Sequence, residues 1–412
     1  MIPRAWLTVG ILWVIAVLNY LDRLMITTMR DPIKAEIAMT DAQFGLLTSM
    51  FLWVYGAFSP LGGFLADRFG RQRVIITSLF IWSAVTLATG YMESFAGLLT
   101  ARAIMGLSEA CYIPAALALI ADYHRGATRS LATGIHMSGI YTGAAMGGVG
   151  GIVAEHYGWR SGFVWFGAFG MVYAIGICFF LKDAPVADKV TDAPVEKVSP
   201  TGAMRALLGQ PAFRILLVVT SLVGLANWAV YGWLPTYLKD HFSLGLGKAG
   251  IVATSYIQVA SFFGVVFGGI WADRWSRTRP RARALVPAIG FSIAAPILLL
   301  GISSSWLPMA IAVLIVYGVA RGFYDANQMP ILRSVTAEHY SATGYGMLNF
   351  VSAMVGGAMI YVGGGLKDSN ISLVTIFQFS AVSLIVAGLL LFAVKARVAA
   401  PAPGPADNPA DK

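Results

Sequence analysis

Twelve times along this chain a mostly apolar run of about 20 residues recurs, the length a helix needs to cross a bilayer core. The runs lie near 5–29, 42–64, 74–91, 96–121, 130–153 and 161–181, then near 212–238, 250–272, 284–303, 306–332, 343–366 and 372–394. A backbone in lipid must satisfy its own hydrogen bonds, so continuous runs of this length become helices. Composition agrees. Charged residues make up 12% and apolar residues 57% of the chain, against roughly 25% charged in soluble domains. The mean hydropathy is +0.71. These features predict an all-α membrane protein with twelve transmembrane helices.

The runs are organised as two halves. GGFLADRFGRQR at 62–73 returns as GGIWADRWSRTR at 268–279, 206 positions later in a chain of 412, with seven of twelve positions identical. Each copy sits between two apolar runs. A charged turn repeated once per half is the pattern of a transporter built from parallel repeats. The predicted organisation is a six-helix bundle over 1–181, a linker over 182–210, a second six-helix bundle over 211–398 and a disordered tail over 399–412. The linker holds Pro185, Pro194 and Pro200, with a short amphipathic helix expected around Ala203–Leu208.

Charge sets the orientation. With the N-terminus inside, 20 of the 29 Lys and Arg fall in cytoplasmic segments, six in outer loops and three within spans. This positive-inside bias predicts cytoplasmic termini in a bacterial-type cell inner membrane. It also accounts for the net charge of +9, so no nucleic-acid partner is inferred. Cys111 and Cys178 lie in apolar runs without disulfide or metal spacing. The first run is too long for a signal core and contains charges, so it reads as a retained span. The five histidines are scattered, and neither H-E-x-x-H nor G-x-S-x-G occurs. No enzyme, metal site or cofactor is expected.

Six ionisable residues sit inside the spans: Asp22, Arg23, Arg102, Glu109, Arg321 and Asp325. Each costs about 2.5–3.5 kcal/mol at the bilayer centre on the gentler scales, so they should face one another or a wet cavity. Arg102 and Glu109 share a helix face about 10 Å apart along the axis, too far for a direct bond. Arg321 and Asp325 are spaced to bridge. Three arginines balance three carboxylates, so protonating one carboxylate leaves room for one anion. Asp22 and Glu109 are expected to carry the proton, and Arg23, Arg102 or Arg321 to hold a substrate carboxylate. Asn227, Tyr231, Tyr324 and Gln328, with Asp325, are expected to form a polar wall suited to a hydroxyl-rich substrate. Tyr256, Gln258 and Asn349 are further polar candidates, while Trp233 and Tyr237 are expected to anchor at the membrane interface. Gly139, Gly143, Gly147 and Gly151 form a small-residue ridge for close helix packing. His136, beside them, is expected to be a core histidine, with a proton relay as the other reading.

The turn Gly63, Leu65, Ala66, Asp67, Arg68, Gly70, Arg71 and Arg73, with its echo in the second half, resembles the signature of the major facilitator superfamily. That resemblance covers residues 5–394 and implies two bundles rocking about a cavity lined by spans 1, 4, 7 and 10. The charged pairs fall on three of those spans. The resemblance also suggests a conformational gate formed by Gly63, Asp67, Arg68 and Arg71, echoed by Asp273 and Arg274. Asp67 would face the N-terminus of span 11, with Ser341 and Thr343 as candidate N-caps. NYLDR in span 1 and Arg102, Gly106, Glu109 and Ala110 in span 4 resemble the anion:cation symporter family. Proton symport of a small organic anion, such as a hexuronate, aldonate or sialic acid, is therefore implied. In that family Asp22 and Glu109 would be protonated, with Arg23 and Arg102 their partners. The same motifs resemble spinster-like lysolipid transporters, and an anion channel is a further alternative. GIYTGAAMGG in span 5 resembles an antiporter motif, except that Ala144 stands where a proline would be, which favours symport. The expected partners are the anion, protons and membrane lipid. The expected state is a monomer driven by the proton gradient alone.

Overall fold

The computed structural model describes residues 2–124, 128–184, 200–279, 281–337 and 340–394, and the regular structure among them is helical. The first half forms α1 (Ile2–Thr28), α2 (Arg30–Glu36), α3 (Asp41–Phe69), α4 (Arg71–Thr89), α5 (Phe95–Glu109), α6 (Tyr112–Tyr123), α7 (Arg129–Met146), α8 (Val149–Tyr157) and α9 (Trp159–Ile177). Helix α10 (Pro200–Leu208) occupies the end of the linker, where a short amphipathic helix is expected. The second half forms α11 (Pro211–Phe242), α12 (Leu246–Ser276), α13 (Ala282–Gly301), α14 (Leu307–Val335), α15 (Ser341–Asp368) and α16 (Leu373–Ala393). The predicted tail, 399–412, and most of the linker lie outside the described residues.

Eleven segments among the described residues are long and apolar enough to cross a membrane, with α5 and α6 counted as one. Two expected spans are interrupted. The 96–121 span breaks at Ala110–Cys111, between α5 and α6. Pro114 has no N–H to return to the Ala110 carbonyl, which leaves that turn free to open. Gly62 of α3 permits the break to lie close, since a Cβ there would stand 2.7 Å from the Cys111 Cα. The 130–153 span parts at Gly147–Gly148 into α7 and α8.

The repeated turn differs between its copies for a local reason. Gly70 alone joins α3 to α4, at φ +89°, a conformation that glycine adopts without strain. The Asp183 carboxylate accepts from the Gln72 N–H at 2.8 Å and so caps the start of α4. In the second copy Ser276 replaces that glycine, and α12 ends at it, with Arg277 right-handed and the next helix beginning only at Ala282.

Within the first bundle the glycine ridge lets α7 approach α1. Cβ atoms at Gly139, Gly143 and Gly147 would meet Trp13, Val17 and Leu24. One at Gly151 would stand 2.8 Å from the Leu246 carbonyl, across the bundle boundary. The two bundles meet along two seams related by the repeat, α3 on α15 and α12 on α7 and α8. On the first seam Ser49 donates to the Gly357 carbonyl at 2.6 Å and Trp53 Nε1 to the Met354 carbonyl at 3.0 Å. On the second, the Gly148 N–H donates to Thr254 at 3.2 Å.

One end of the molecule is sealed. The Asp368 carboxylate, ending α15, accepts from the Asp41 and Ala42 N–H groups that open α3, at 2.7 and 2.8 Å. Its repeat-related counterpart is Glu155 in the last turn of α8, which accepts from the Gly247 N–H at the start of α12, at 2.9 Å. Lys239 pairs with Asp31 at 2.6 Å between the bundles. Partial burial pushes the Asp31 carboxyl up, but the Lys239 hydrogen bond and the charges of Arg30 and Lys239 outweigh it and hold the group below its usual range. Behind these contacts Met29, Ile33, Phe44 and Leu238 are buried. Trp233 and Tyr237 belong to this seal and are not interface anchors: they are 0% and 2% exposed. Their polar atoms donate to the Ile360 and Ile302 carbonyls, which a lipid-facing ring could not reach. Toward the other end, which carries the arginine-rich turns, the seam loosens. Leu61 and Phe64 of α3 are 50% and 58% exposed, and Phe350 of α15 is 41% exposed.

Candidate functional site

In the first bundle, α1 and the broken α5–α6 segment bring Asp22, Arg23, Arg102 and Glu109 together in the core, none more than 2% exposed. Glu109 ends α5, next to the break, and finds its cation on another helix: Arg23 donates to it at 2.9 Å. The same Arg23 nitrogen reaches Asn19 Oδ1, one turn back on α1, at 3.1 Å. Three rings surround the guanidinium, Tyr20, Phe51 and Tyr55, at 4.5, 4.8 and 4.6 Å from its carbon. Desolvated cation–π contacts of this kind are each worth up to about 2 kcal/mol. They replace part of the hydration that Arg23 gave up.

Asp22 points elsewhere and takes a hydrogen bond from Thr86 of α4 at 3.2 Å. Arg102 has no carboxylate at ion-pair distance among the described residues. It lies over Phe51 at 4.8 Å and reaches the Leu47 and Arg23 carbonyls at 3.4 and 3.5 Å. It therefore ties α5 to the α3 and α1 backbones, and in this conformation it is fully buried. Asn19 Nδ2, Asp22 Oδ1, Arg23 Nε and Glu109 Oε1 are buried without a hydrogen-bond partner among the described residues. Unmet polar capacity in one place marks a site built for a further participant, such as water, a proton or a ligand.

The second bundle faces this cluster with Arg321, which reaches Asp325 at 3.4 Å and lies 5.1 Å from the Tyr231 ring centre. Gln258 of α12 donates to the Tyr231 hydroxyl at 2.7 Å. Tyr324 pairs with Thr220 at 2.7 Å and meets Gln328 at 3.5 Å. Asn227 Oδ1, Gln258 Oε1 and Arg321 Nη1 are buried and unpartnered among the described residues. Tyr345 of α15 lies within electrostatic reach of Tyr20 and Tyr55 on one side and Asp325 on the other, so phenols line the space between the two clusters. Tyr141 of α7 donates to Asp325 at 3.0 Å and joins the bundles there. Among the other candidates, Tyr256 and Asn349 are exposed. His136 is fully buried, edge-on to Tyr112 at 5.9 Å.

Three of the expected gate residues, Arg68, Arg71 and Asp273, find partners inside their own bundles. Arg71 pairs with Asp122 and donates to the Ala118 carbonyl at 3.1 Å, and Arg68 lies over Phe69 at 5.7 Å. Asp273 pairs with Arg283 at 3.3 Å, and Arg274 is exposed. Gly63 and Asp67 fall within α3, but the Asp67 side chain is outside the described set. Neither Ser341 nor Thr343 caps α15. The N-cap is Tyr340, without a side-chain cap bond, because the helix already includes both residues in its first turn.

Two helical bundles with matching seams, a seal at one end and paired charges buried at mid-depth define a multi-pass membrane protein of the transport type. The Major Facilitator Superfamily model matches residues 12–361, and the chain belongs to that superfamily. It is 27% identical over 372 residues to a "probable sulfoacetate transporter" of Cupriavidus necator, covering 85% of this chain and 86% of that one. It is 26% identical to a "probable galactarate/D-glucarate transporter" of Escherichia coli, covering 66% of each. It is also 26% identical to protein spinster homolog 1 of Xenopus laevis, covering 73% of this chain and 60% of that one. The fold superposes on an inward-facing, unoccupied bacterial homolog of the lysosomal transporter spinster, with TM-score 0.78, 22% identity and 95% of each chain covered.

Proposed function

We propose that this chain is a proton-coupled symporter of a small organic anion, working by alternating access with twelve spans and both termini in the cytoplasm. The observation that carries the reading is the buried Arg23–Glu109 pair, at 2.9 Å, facing Arg321 of the other bundle across a tyrosine-lined space. Taking a proton onto Glu109 cancels its hold on Arg23 and leaves the guanidinium free for a substrate carboxylate or sulfonate. Proton and anion then enter together, since either alone leaves an uncompensated charge in a medium that penalises it. Asp22, anchored to α4 by Thr86, shares that proton with Glu109 in this reading, so that the cluster carries one proton at a time. Relatives described as carrying sulfoacetate and glucarate support an acidic substrate. The unpartnered amide oxygens of Asn227 and Gln258 support one with hydroxyl groups to donate.

The positive-inside bias makes the sealed end the outer one, so this conformation faces the cytoplasm. The Gly63–Arg71 turn then lies on the open side, where its latch, if formed against α15, belongs to the opposite state. A lysolipid cargo is the second reading. It is favoured by the spinster relative and by the exposed Phe58, Leu61 and Phe64 where α3 departs from α15.

Uptake into proteoliposomes under an inward proton gradient tests both. The panel is D-glucarate, D-galacturonate, sulfoacetate, sialic acid and a lysophospholipid. Accumulation of an acid that collapses with a protonophore supports the first reading. Movement of the lysophospholipid alone supports the second.

A further inference from the structure

The Arg321–Asp325 pair differs from the Arg23–Glu109 pair in one respect. Asp325 is 31% exposed and Arg321 11%, whereas Arg23 and Glu109 are 2% and 0% exposed. Asp325 is therefore partly accessible from outside the protein, which Arg23 and Glu109 are not. It also bonds across the bundles, accepting from Tyr141 of α7 at 3.0 Å while it holds Arg321 at 3.4 Å. Arg321 keeps one buried nitrogen, Nη1, with no partner among the described residues. The other groups facing Asp325 are neutral phenols: Tyr231 of α11, Tyr317 and Tyr324 of its own helix and Tyr345 of α15. Arg321 is thus the one cation facing this carboxylate among the described residues. Losing the charge on Asp325 leaves that cation unbalanced.

We infer that Asp325 is a second proton-binding carboxylate that yields Arg321 to a second acidic group on the substrate, so that the preferred substrate is a dianion spanning the two bundles. The inference rests on the anion reading above and deepens it. A proton from cavity water adds to the Asp325 carboxylate, giving the neutral acid, and the substrate's acid group takes its place on Arg321. The other end of the substrate sits at Arg23, released in the same way by Glu109. When the substrate leaves, Asp325 returns its proton to water and re-forms the pair with Arg321. Each guanidinium is released by one proton added to its partner carboxylate, so two protons and a dianion enter together and the site stays electrically neutral.

The test is isothermal titration calorimetry of purified protein with D-glucarate and with sulfoacetate, in buffers of different ionisation heat, between pH 5.5 and pH 8. Wild-type protein is expected to take up about two protons per dianion at the alkaline end. Asp325→Asn is expected to take up about one, and its affinity should lose one power of the pH dependence, roughly tenfold per pH unit. At pH 8 the variant should bind more tightly than wild type. Tyr141→Phe, a milder change, should extend tight binding to higher pH, because the carboxylate loses a donor that stabilises it. An unchanged proton count in Asp325→Asn, or weaker binding at every pH, would overturn the inference while leaving the anion reading intact. Wild-type protein that binds D-galacturonate or sialic acid but neither dianion would also overturn the inference alone, and protein that binds none of these acids would remove both.

Discussion

The two carboxylates at the sealed end offer a direct handle on the conformational equilibrium. Asp368 accepts two N–H groups from the start of α3, and Glu155 accepts one from the start of α12, at 2.7, 2.8 and 2.9 Å. Both join one bundle to the other, and both place a negative charge on a helix N-terminus. Asp368→Asn with Glu155→Gln removes both charges; it keeps an acceptor for the Gly247 N–H but only one of the two Asp368 oxygens, which take the Asp41 and Ala42 N–H groups separately. Both groups lie at the surface, so each charge–dipole contact is worth about 0.7 kcal/mol at low ionic strength. The two charges together give about 1.4 kcal/mol, so with the bond lost at Asp368 the shift toward the outward-open state is about tenfold or more. An outward population of about 1% would rise to about 10%. Spin labels at Tyr91→Cys and Trp306→Cys, 67% and 66% exposed at this end on opposite bundles, would report it by pulsed dipolar spectroscopy. Cys111 and Cys178 would be replaced by serine. The long-distance fraction should grow about tenfold or more in the double variant, and at 1 M salt, where the screening length is about 3 Å, the wild-type fraction should rise toward the variant's because its own charges are then screened. An unchanged distribution, or one shifted toward the short distance, would refute this account of the seal.

Removing Arg23 as Arg23→Ala leaves Glu109 charged and buried without its partner, and should lower stability by about 3–5 kcal/mol in a detergent thermal-shift assay. The double variant Arg23→Ala with Glu109→Gln should recover most of that loss. Gly143→Val places a side chain against Val17 of α1. It should separate α1 from α7 and destabilise the first bundle by more than 1 kcal/mol, read by the same assay. The Asp31–Lys239 pair should hold the seal through mild acid. A carboxyl held below its usual range stabilises the folded state above that range and loses the contribution only as pH falls through the lowered value. Asp31→Asn should therefore loosen the seal in the spin-label measurement at both pH 8 and pH 5, while wild type stays unchanged between them.

The helices were legible because lipid leaves so few choices for an apolar run of this length. The breaks were less so. Pro114 announces the α5–α6 interruption, but the apolar content carries straight through Ala110 and Cys111, and hydropathy averages over it. That Glu109 needs a partner from elsewhere follows from its own helix, which offers none nearby. That the partner is Arg23 depends on which faces of α1 and α5 meet, and one sequence does not carry that. Asp22 and Arg23 look like a pair in the chain and part company in the fold, one toward Thr86 and one toward Glu109. Trp233 and Tyr237 have the position of interface anchors, and only their bonds to the Ile360 and Ile302 carbonyls and their burial reveal them as core. Tyr141 was masked by the glycine ridge around it. Glu155 and Asp368 look like ordinary polar residues at the ends of spans, and their role appears only when the opposite bundle supplies a helix N-terminus.

The central claim is that the Arg23–Glu109 pair couples proton and anion movement. Glu109→Gln in proteoliposomes tests it by comparing two fluxes of the same probe, D-glucarate or whichever acid the uptake panel selects. Exchange of external for internal substrate needs no net proton movement and should continue. Accumulation driven by a proton gradient should fall well below the wild-type level, because the group that must gain and lose the proton at Arg23 is gone. Proton-driven accumulation at the wild-type level in this variant would contradict the account.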